Sequence, residues 1–153
     1  AHDRRILCAS PQYLAKNGMP EKPQDLYNHD IVASPASLPW RLTGPDGMFL
    51  YEGKSRIITN SSELPGAFAL AGLGIALRPI WAMIDELRNG RLVRVLPDYE
   101  SSSHWSISAV YHPDRIVSPT VKAVVAYLKG CFADLDQEME RRLAEIEGRA
   151  MAT

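Results

Sequence analysis

The order of signals in "ELPGAFALAGLGIALRP", residues 63–79, constrains the fold more than any other stretch of the chain. Leu64, Ala67, Phe68 and Ala71 recur at helical spacing and make an apolar stripe. Gly72 suits the left-handed position just past a helix, and Leu73 can fold back on it. "IALRP" (75–79) then reads as a strand stopped by Pro79. A dinucleotide-binding loop needs the reverse order, strand, glycines, helix, and a third glycine. Here the residue three after Gly74 is Leu77, so the stretch is a helix-to-strand corner and a nucleotide loop is rejected. Upstream, Asn60, Ser61 and Ser62 are all good N-cap residues, and Glu63, three after Asn60, offers a capping box; the sequence does not choose among them.

The same alternation runs through most of the chain. "RRILCAS" (4–10) reads as a strand, and Ser10-Pro11 starts a short helix that stops at Asn17-Gly18. Pro20 and Pro23 forbid a regular element, although Pro23 can open one helical turn. "DIVASPAS" (30–37) is a second strand, ended by Pro35. Residues 39–59 read as two antiparallel strands around the turn Gly44-Pro45-Asp46-Gly47. Ile80, Met83, Ile84 and Leu87 mark a helix ending at Asn89-Gly90, followed by a strand over 92–97, a polar loop "DYESSS" and a strand over 105–112. Ser118-Pro119 opens a last helix whose apolar stripe runs from Val121 to Ile146, with Gly130 as a weak point. After about residue 133 it becomes more charged, as a helical extension or a remnant of an expression vector would. Strands alternating with helices imply an α/β fold with a mixed, mainly parallel sheet flanked by helices and an inserted hairpin.

Length and charge narrow the function. The 153 residues suffice for one domain of ordinary size, and the net charge of -1 with scattered Lys and Arg makes the chain by itself a poor nucleic-acid binder. The densest basic group, Arg141, Arg142 and Arg149, alternates with Glu138, Glu140, Glu145 and Glu147, the pattern of a solvated helix face. No apolar stretch approaches the ~20 residues that span a bilayer, and the N-terminal apolar run is too short for a signal peptide. Cys8 and Cys131 are expected to be reduced, buried thiols of a cytoplasmic protein. No base is suggested near Cys8. His2, His29, His104 and His112 share no metal-ligand spacing, and Asp98 and Glu100 lie in a polar loop with no apolar wall. Catalytic elbows, phosphate loops and metalloprotease motifs are missing too. Binding is therefore favoured over catalysis, with no cofactor or metal expected.

In an open α/β sheet, ligands settle beyond the C-terminal ends of strands, where helix N-termini offer free N–H groups to an anion. Three junctions qualify: Ser10-Pro11, Ser34-Pro35-Ala36 and Asn60-Ser61-Ser62. Capping and turn formation alone also explain Ser10, Ser34 and Ser62.

"RRILCASPQYLAKNGMPEKPQDLYNHDIV" resembles the start of the second lobe in the effector-binding domain of LysR-type transcriptional regulators. "WRLTGPDG", "TNSSELPGAFALAGLGIALRPIWAM", "NGRLVRVLPDY" and "YHPDRIVSPTVKAVVAYL" resemble the family's later segments, in order, over roughly residues 4 to 130. The resemblance implies a fold similar to one lobe of a type 2 periplasmic binding protein. It implies an inter-lobe crossing strand over 1–12, a second lobe over 13–97, the terminal strand and helix of the first lobe over 98–132, and a charged helical tail over 133–153. The family's helix-turn-helix, linker helix and opening first-lobe strands have no counterpart here, so the chain is expected to be part of a longer regulator that meets DNA only through the missing domain. Also implied are a small, anionic effector in the inter-lobe cleft, a homo-oligomer whose arrangement on DNA the effector shifts, a cytoplasmic location and no membrane partner. Carried over position by position, the effector-binding residues are Ser34, Pro35, Asn60, Ser61 and Ser62, with Ser10 at the inter-lobe crossing. Arg78 either supplies charge or is merely exposed. A solute-binding protein of a transporter and, more weakly, an enzyme of the same two-lobe architecture are the alternatives.

Overall fold

In the computed structural model, residues 4–57, 59–101, 110 and 118–150 are described. The chain divides into two units, Arg4–Ser103 and a second made of Ala1–Asp3 with His104–Thr153.

The first unit is built on β1 (Arg5–Ala9), which lies between β4 (Ala76–Pro79) and β5 (Val93–Val95) and runs antiparallel to both. Leu7 faces Leu77 on one side and Val95 on the other. The continuous run Ile6–Leu7–Cys8–Ala9 is fully buried, as a strand covered on both faces requires. Helix α3 (Ile80–Arg88) links β4 to β5 and buries Ile80, Met83, Ile84 and Leu87. A second antiparallel sheet joins β3 (Gly47–Tyr51), β2 (Trp40–Gly44) and β6 (Glu100–Ser101). The β2–β3 hairpin turns through Pro45–Asp46 where the sequence places it, with Gly44 opposite Gly47. One core cluster unites Leu7, Trp40 and Tyr51 of the two sheets with Tyr13, Leu26 and Tyr99 from the segments between strands.

The α/β class holds, but the expected mainly parallel pairing does not describe the named strands. Among the described residues parallel pairing is confined to two isolated bridges, Ile31 with Ile75 and Val32 with Ile57. The topology supplies the reason. β4 and β5, joined by α3, do run in the same direction, as a strand–helix–strand unit demands. They are not neighbours, because β1 is inserted between them pointing the other way.

Local signals fix the helix ends. Ser10 caps α1 (Pro11–Asn17) by accepting from the Tyr13 N–H at 3.3 Å, with Pro11 at the first helical position. Pro23 opens a 3-10 turn over Pro23–Asn28. Helix α2 (Leu64–Leu70) ends in a Schellman motif: Leu73 N–H donates to Phe68 O at 3.0 Å and Gly72 N–H to Ala69 O at 3.1 Å, with Gly72 at φ +76. Gly74 serves a different purpose. A Cβ there would stand 2.3 Å from the Asp30 carbonyl oxygen, which accepts the Ile75 N–H at 2.8 Å.

In the second unit α4 (Pro119–Ala150) is one continuous helix, and Gly130 does not interrupt it. Ser118 Oγ accepts the Val121 N–H at 3.3 Å, the capping geometry expected of Ser118-Pro119. Glu138 receives both Arg141 and Arg142. The strand expected over 105–112 lies outside the described residues, Val110 apart. Among the described residues no helix is long and apolar enough to cross a membrane.

Candidate functional site

The two parallel bridges make a short ribbon. Residues 30–32 form its centre, with Ile75 on one flank and Arg56–Ile57 on the other. Val32 N–H donates to Ile75 O at 2.9 Å, Ile75 N–H to Asp30 O at 2.8 Å, and Arg56 N–H to Ile31 O at 2.8 Å. Ser55 stitches the same flank. Its Oγ accepts the Ala33 N–H at 2.9 Å and lies 2.7 Å from Ile57 O. Tyr13 anchors the other end, where its hydroxyl accepts the Asp30 N–H at 2.8 Å and lies 3.2 Å from His29 Nδ1. Because that hydroxyl already accepts, its own proton is available to a neutral His29. Burial lowers the His29 pKa against the opposing pull of Asp25 and Asp30, and burial likewise raises that of Tyr13.

Because the ribbon is parallel, its members leave the bridges in one direction. Ser34 follows Val32, and Asn60–Ser62 follow Ile57, so two of the predicted corners leave by the same end of the ribbon. At the first, Ser34 O accepts Ser37 N–H at 2.9 Å and Ser37 Oγ at 2.7 Å, and Pro35 begins a 3-10 turn (Pro35–Ser37) and is exposed. The Ser34 side chain makes no capping bond. At the second, Ser61 N–H donates to Thr59 Oγ1 at 3.1 Å and Ser61 Oγ accepts Glu63 N–H at 3.2 Å. Asn60 and Ser62 are exposed, and Ser61 is half-buried. The capping box offered by Asn60 and Glu63 does not form: Glu63 itself occupies the N-cap of α2, without a side-chain cap. Arg78, left open by the sequence, directs its guanidinium to the Ser62 carbonyl and ties the end of β4 to this corner.

Ser10 stands apart. β1 runs against β4, so its C-terminal end meets the beginning of β4, whereas the other corners lie toward β4's far end. A Cβ on Gly72 would sit 3.5 Å from Ser10 Oγ, which locates Ser10 against the α2–β4 corner. Ser10 is buried and committed to capping α1. Thr59 and Ser55 were missed, because no local pattern reveals that residues 31–33 and 55–57 are neighbours.

Two expectations about chemistry are corrected. Cys8 is buried as expected, its thiol pushed up to about 12 by burial and its Sγ 3.7 Å from Ala76 O. Cys131 is instead exposed, as are its stripe neighbours Leu128 and Leu135 on α4. Glu100 is not a loop residue but part of β6. It receives Arg4 Nε at 3.0 Å and Arg4 Nη2 at 2.6 Å, and Arg94 Nη2 at 2.9 Å. Desolvation works to raise its pKa, but the hydrogen bonds and charge of Arg4, joined by Arg94, outweigh it and hold the carboxyl below its usual range. No group of metal-ligating side chains gathers among the described residues.

These features define an α/β domain of periplasmic-binding-protein-like fold. The regulatory domain of AphB in Vibrio vulnificus aligns with 65% of this chain and 52% of its own, with a TM-score of 0.62 and 30% identity. The CrgA regulatory domain from Neisseria meningitidis aligns with 84% of this chain and 65% of its own, with a TM-score of 0.63; at 23% identity it supports the fold alone. The LysR substrate binding domain matches residues 1–132, and the chain belongs to that family. Among similar curated proteins, the HTH-type transcriptional activator TtdR of Escherichia coli O6:K15:H31 is 35% identical over 130 residues, 82% of this chain and 41% of TtdR. The HTH-type transcriptional regulator DmlR of Escherichia coli K12 is 32% identical over 139 residues, 88% of this chain and 44% of DmlR. The chain thus spans less than half the length of these relatives, which are transcriptional regulators and not enzymes.

Proposed function

We propose that the chain is the effector-sensing part of a cytoplasmic LysR-type regulator, and that it binds a small anionic metabolite at the ribbon end carrying Ser34, Pro35, Asn60, Ser61 and Ser62. The shared exit of these two corners from one parallel ribbon carries the reading. Hydroxyl and amide donors beside the Arg78 guanidinium suit a carboxylate, which gains most from several hydrogen bonds at once. Ser10 belongs to the scaffold on this reading, because it is buried and follows β1, whose C-terminal end meets the opposite end of β4 from the other two corners. On this reading the unit Arg4–Ser103, with β1 at the centre of one of its sheets, is the second lobe, and the residues beyond it up to 132 belong to the first lobe. The longer regulator contacts DNA through a separate helix-turn-helix domain, works as a homo-oligomer, and changes its arrangement on DNA when the effector binds.

The test is a thermal-shift screen of the chain against small mono- and dicarboxylic acids such as acetate, succinate and benzoate, followed by titration of the best acid. The Ser61→Ala/Ser62→Ala variant should bind that acid about 1–3 kcal/mol more weakly, because the carboxylate loses donors. If no acid raises the melting temperature, or the variant binds as the parent does, the reading fails.

A further inference from the structure

β4 leaves the bridge at Ile75 in the same direction as the segments that follow Val32 and Ile57, and Arg78 is its penultimate residue. Three segments therefore leave the ribbon by one end: 34–37, 59–63 and 78–79. Among the described residues of these segments the formal charges are Arg78 and Glu63. At the other end of the ribbon Arg56 and Asp30 neutralise each other at 2.6 Å. The Arg78 side chain is held on two sides. Its Nη1 donates to the Ser62 carbonyl oxygen. Its Nε passes beneath the first turn of α2, where a Cβ on Gly66 would stand 3.4 Å from it. The same Cβ would meet Met83 of α3, 3.0 Å from Cε and 3.3 Å from Sδ. Gly66 is buried, so its missing side chain is the space in which Met83 and the Arg78 side chain converge between α2, α3 and β4. Burial raises the Cys8 pKa and the Arg78 charge pulls against that rise, so the field of the guanidinium carries into the sheet.

We infer that Arg78 makes the ribbon end select an ionised carboxylate over an uncharged group of the same shape, and that Gly66 is the positioning residue that lets it do so. This rests on the anion-binding reading above and deepens it. Hydroxyls and backbone amides donate to a neutral carbonyl as well as to a carboxylate, so Ser61 and Ser62 serve both kinds of guest. A guanidinium adds an attraction that only the anion feels, and its charge persists at every working pH. Glu63, exposed at the N-cap of α2, repels an anion, so the site needs the arginine to hold one. Packing against Gly66 and Met83 fixes the side chain before the guest arrives, so little rotamer freedom is lost on binding.

The test compares acids with their uncharged amides. The chain is titrated with acetate, succinate and benzoate, and with acetamide, succinamide and benzamide, and binding is followed by nuclear magnetic resonance. The parent should prefer its best acid over the matching amide by about tenfold or more, the range of a hydrogen bond to a charged group. Arg78→Gln should lose that preference while its affinity for the amide stays within about twofold of the parent. Arg78→Lys, which keeps the charge, should retain a preference above that of Arg78→Gln. Gly66→Ala leaves every charge in place and should lower the preference about threefold by displacing the guanidinium, although alanine is the better helix former. Arg78→Gln with the parental preference overturns the inference and leaves the anion-binding reading standing. Equal weakening of acid and amide in Arg78→Gln overturns it too, since a purely structural tie to Ser62 predicts that. Equal loss of preference in Arg78→Lys and Arg78→Gln, or the parental preference in Gly66→Ala, likewise counts against it. If the parent binds none of the acids, the anion-binding reading fails and this inference with it. Gly66→Ala keeps the test decisive if Arg78→Gln does not fold.

Discussion

Replacing Gly74 by Ala should destabilise the 4–103 unit by about 2–4 kcal/mol, summed from one strained ladder bond and local overpacking. The added Cβ would lie 2.3 Å from Asp30 O and 2.9 Å from Asp30 C, both backbone atoms that no rotamer change can move aside. Relief requires the strands to part, and the bond from Ile75 N–H to Asp30 O, now 2.8 Å, is the first to stretch. For a unit of this size each kcal/mol lowers Tm by about 4–8 °C, so a fall of about 10–30 °C is expected. Gly72→Ala is the internal control. Its Cβ would meet only Gln12 Oε1 at 3.4 Å and Ser10 Oγ at 3.5 Å, leaving little beyond the left-handed φ of +76 to pay for, about 1–2 kcal/mol. Urea unfolding followed by far-ultraviolet circular dichroism measures both. A Gly74→Ala cost below about 0.5 kcal/mol, or one smaller than that of Gly72→Ala, would refute the close-approach argument.

Two further outcomes are expected. Burial holds the folded-state pKa of His29 below its unfolded value near 6.5, so its contribution to stability is fully present above that pH. The contribution falls as pH drops through the lowered folded-state pKa; urea titrations across this range should show the decline, and His29→Gln should flatten it. Cys131 should react with a thiol reagent in the native protein while Cys8 stays silent until unfolding, given its burial and raised pKa; early reaction of Cys8 would contradict the packed β1.

The legible parts of this chain were the local ones. Ser10-Pro11 and Ser118-Pro119 announced helix starts, Gly44-Pro45-Asp46-Gly47 a hairpin, and Gly72-Leu73 a Schellman stop, because each signal lies within a few residues of the structure it causes. Long-range pairing was not legible. Nothing near Ile31 announces Ile75 or Ser55 as neighbours, and so the expected strand over 30–37 shrinks to two bridges and a 3-10 turn. The Glu100 cluster was read as loop for the same reason, its main partner Arg4 being 96 residues away. For the candidate site, residue chemistry named Ser34 and Asn60–Ser62, but only the direction of the ribbon separates them from Ser10, which a strand-end rule treats as equivalent.

The account depends most on anion recognition at that ribbon end. Titrating the isotope-labelled chain with the best-binding small carboxylate, and following its amide resonances, tests this directly. The predicted result is a saturable set of shifts centred on the amides of Ser34, Asn60, Ser61 and Ser62. Shifts centred on the 40–51 hairpin or on α1, with those four amides unmoved, would contradict it.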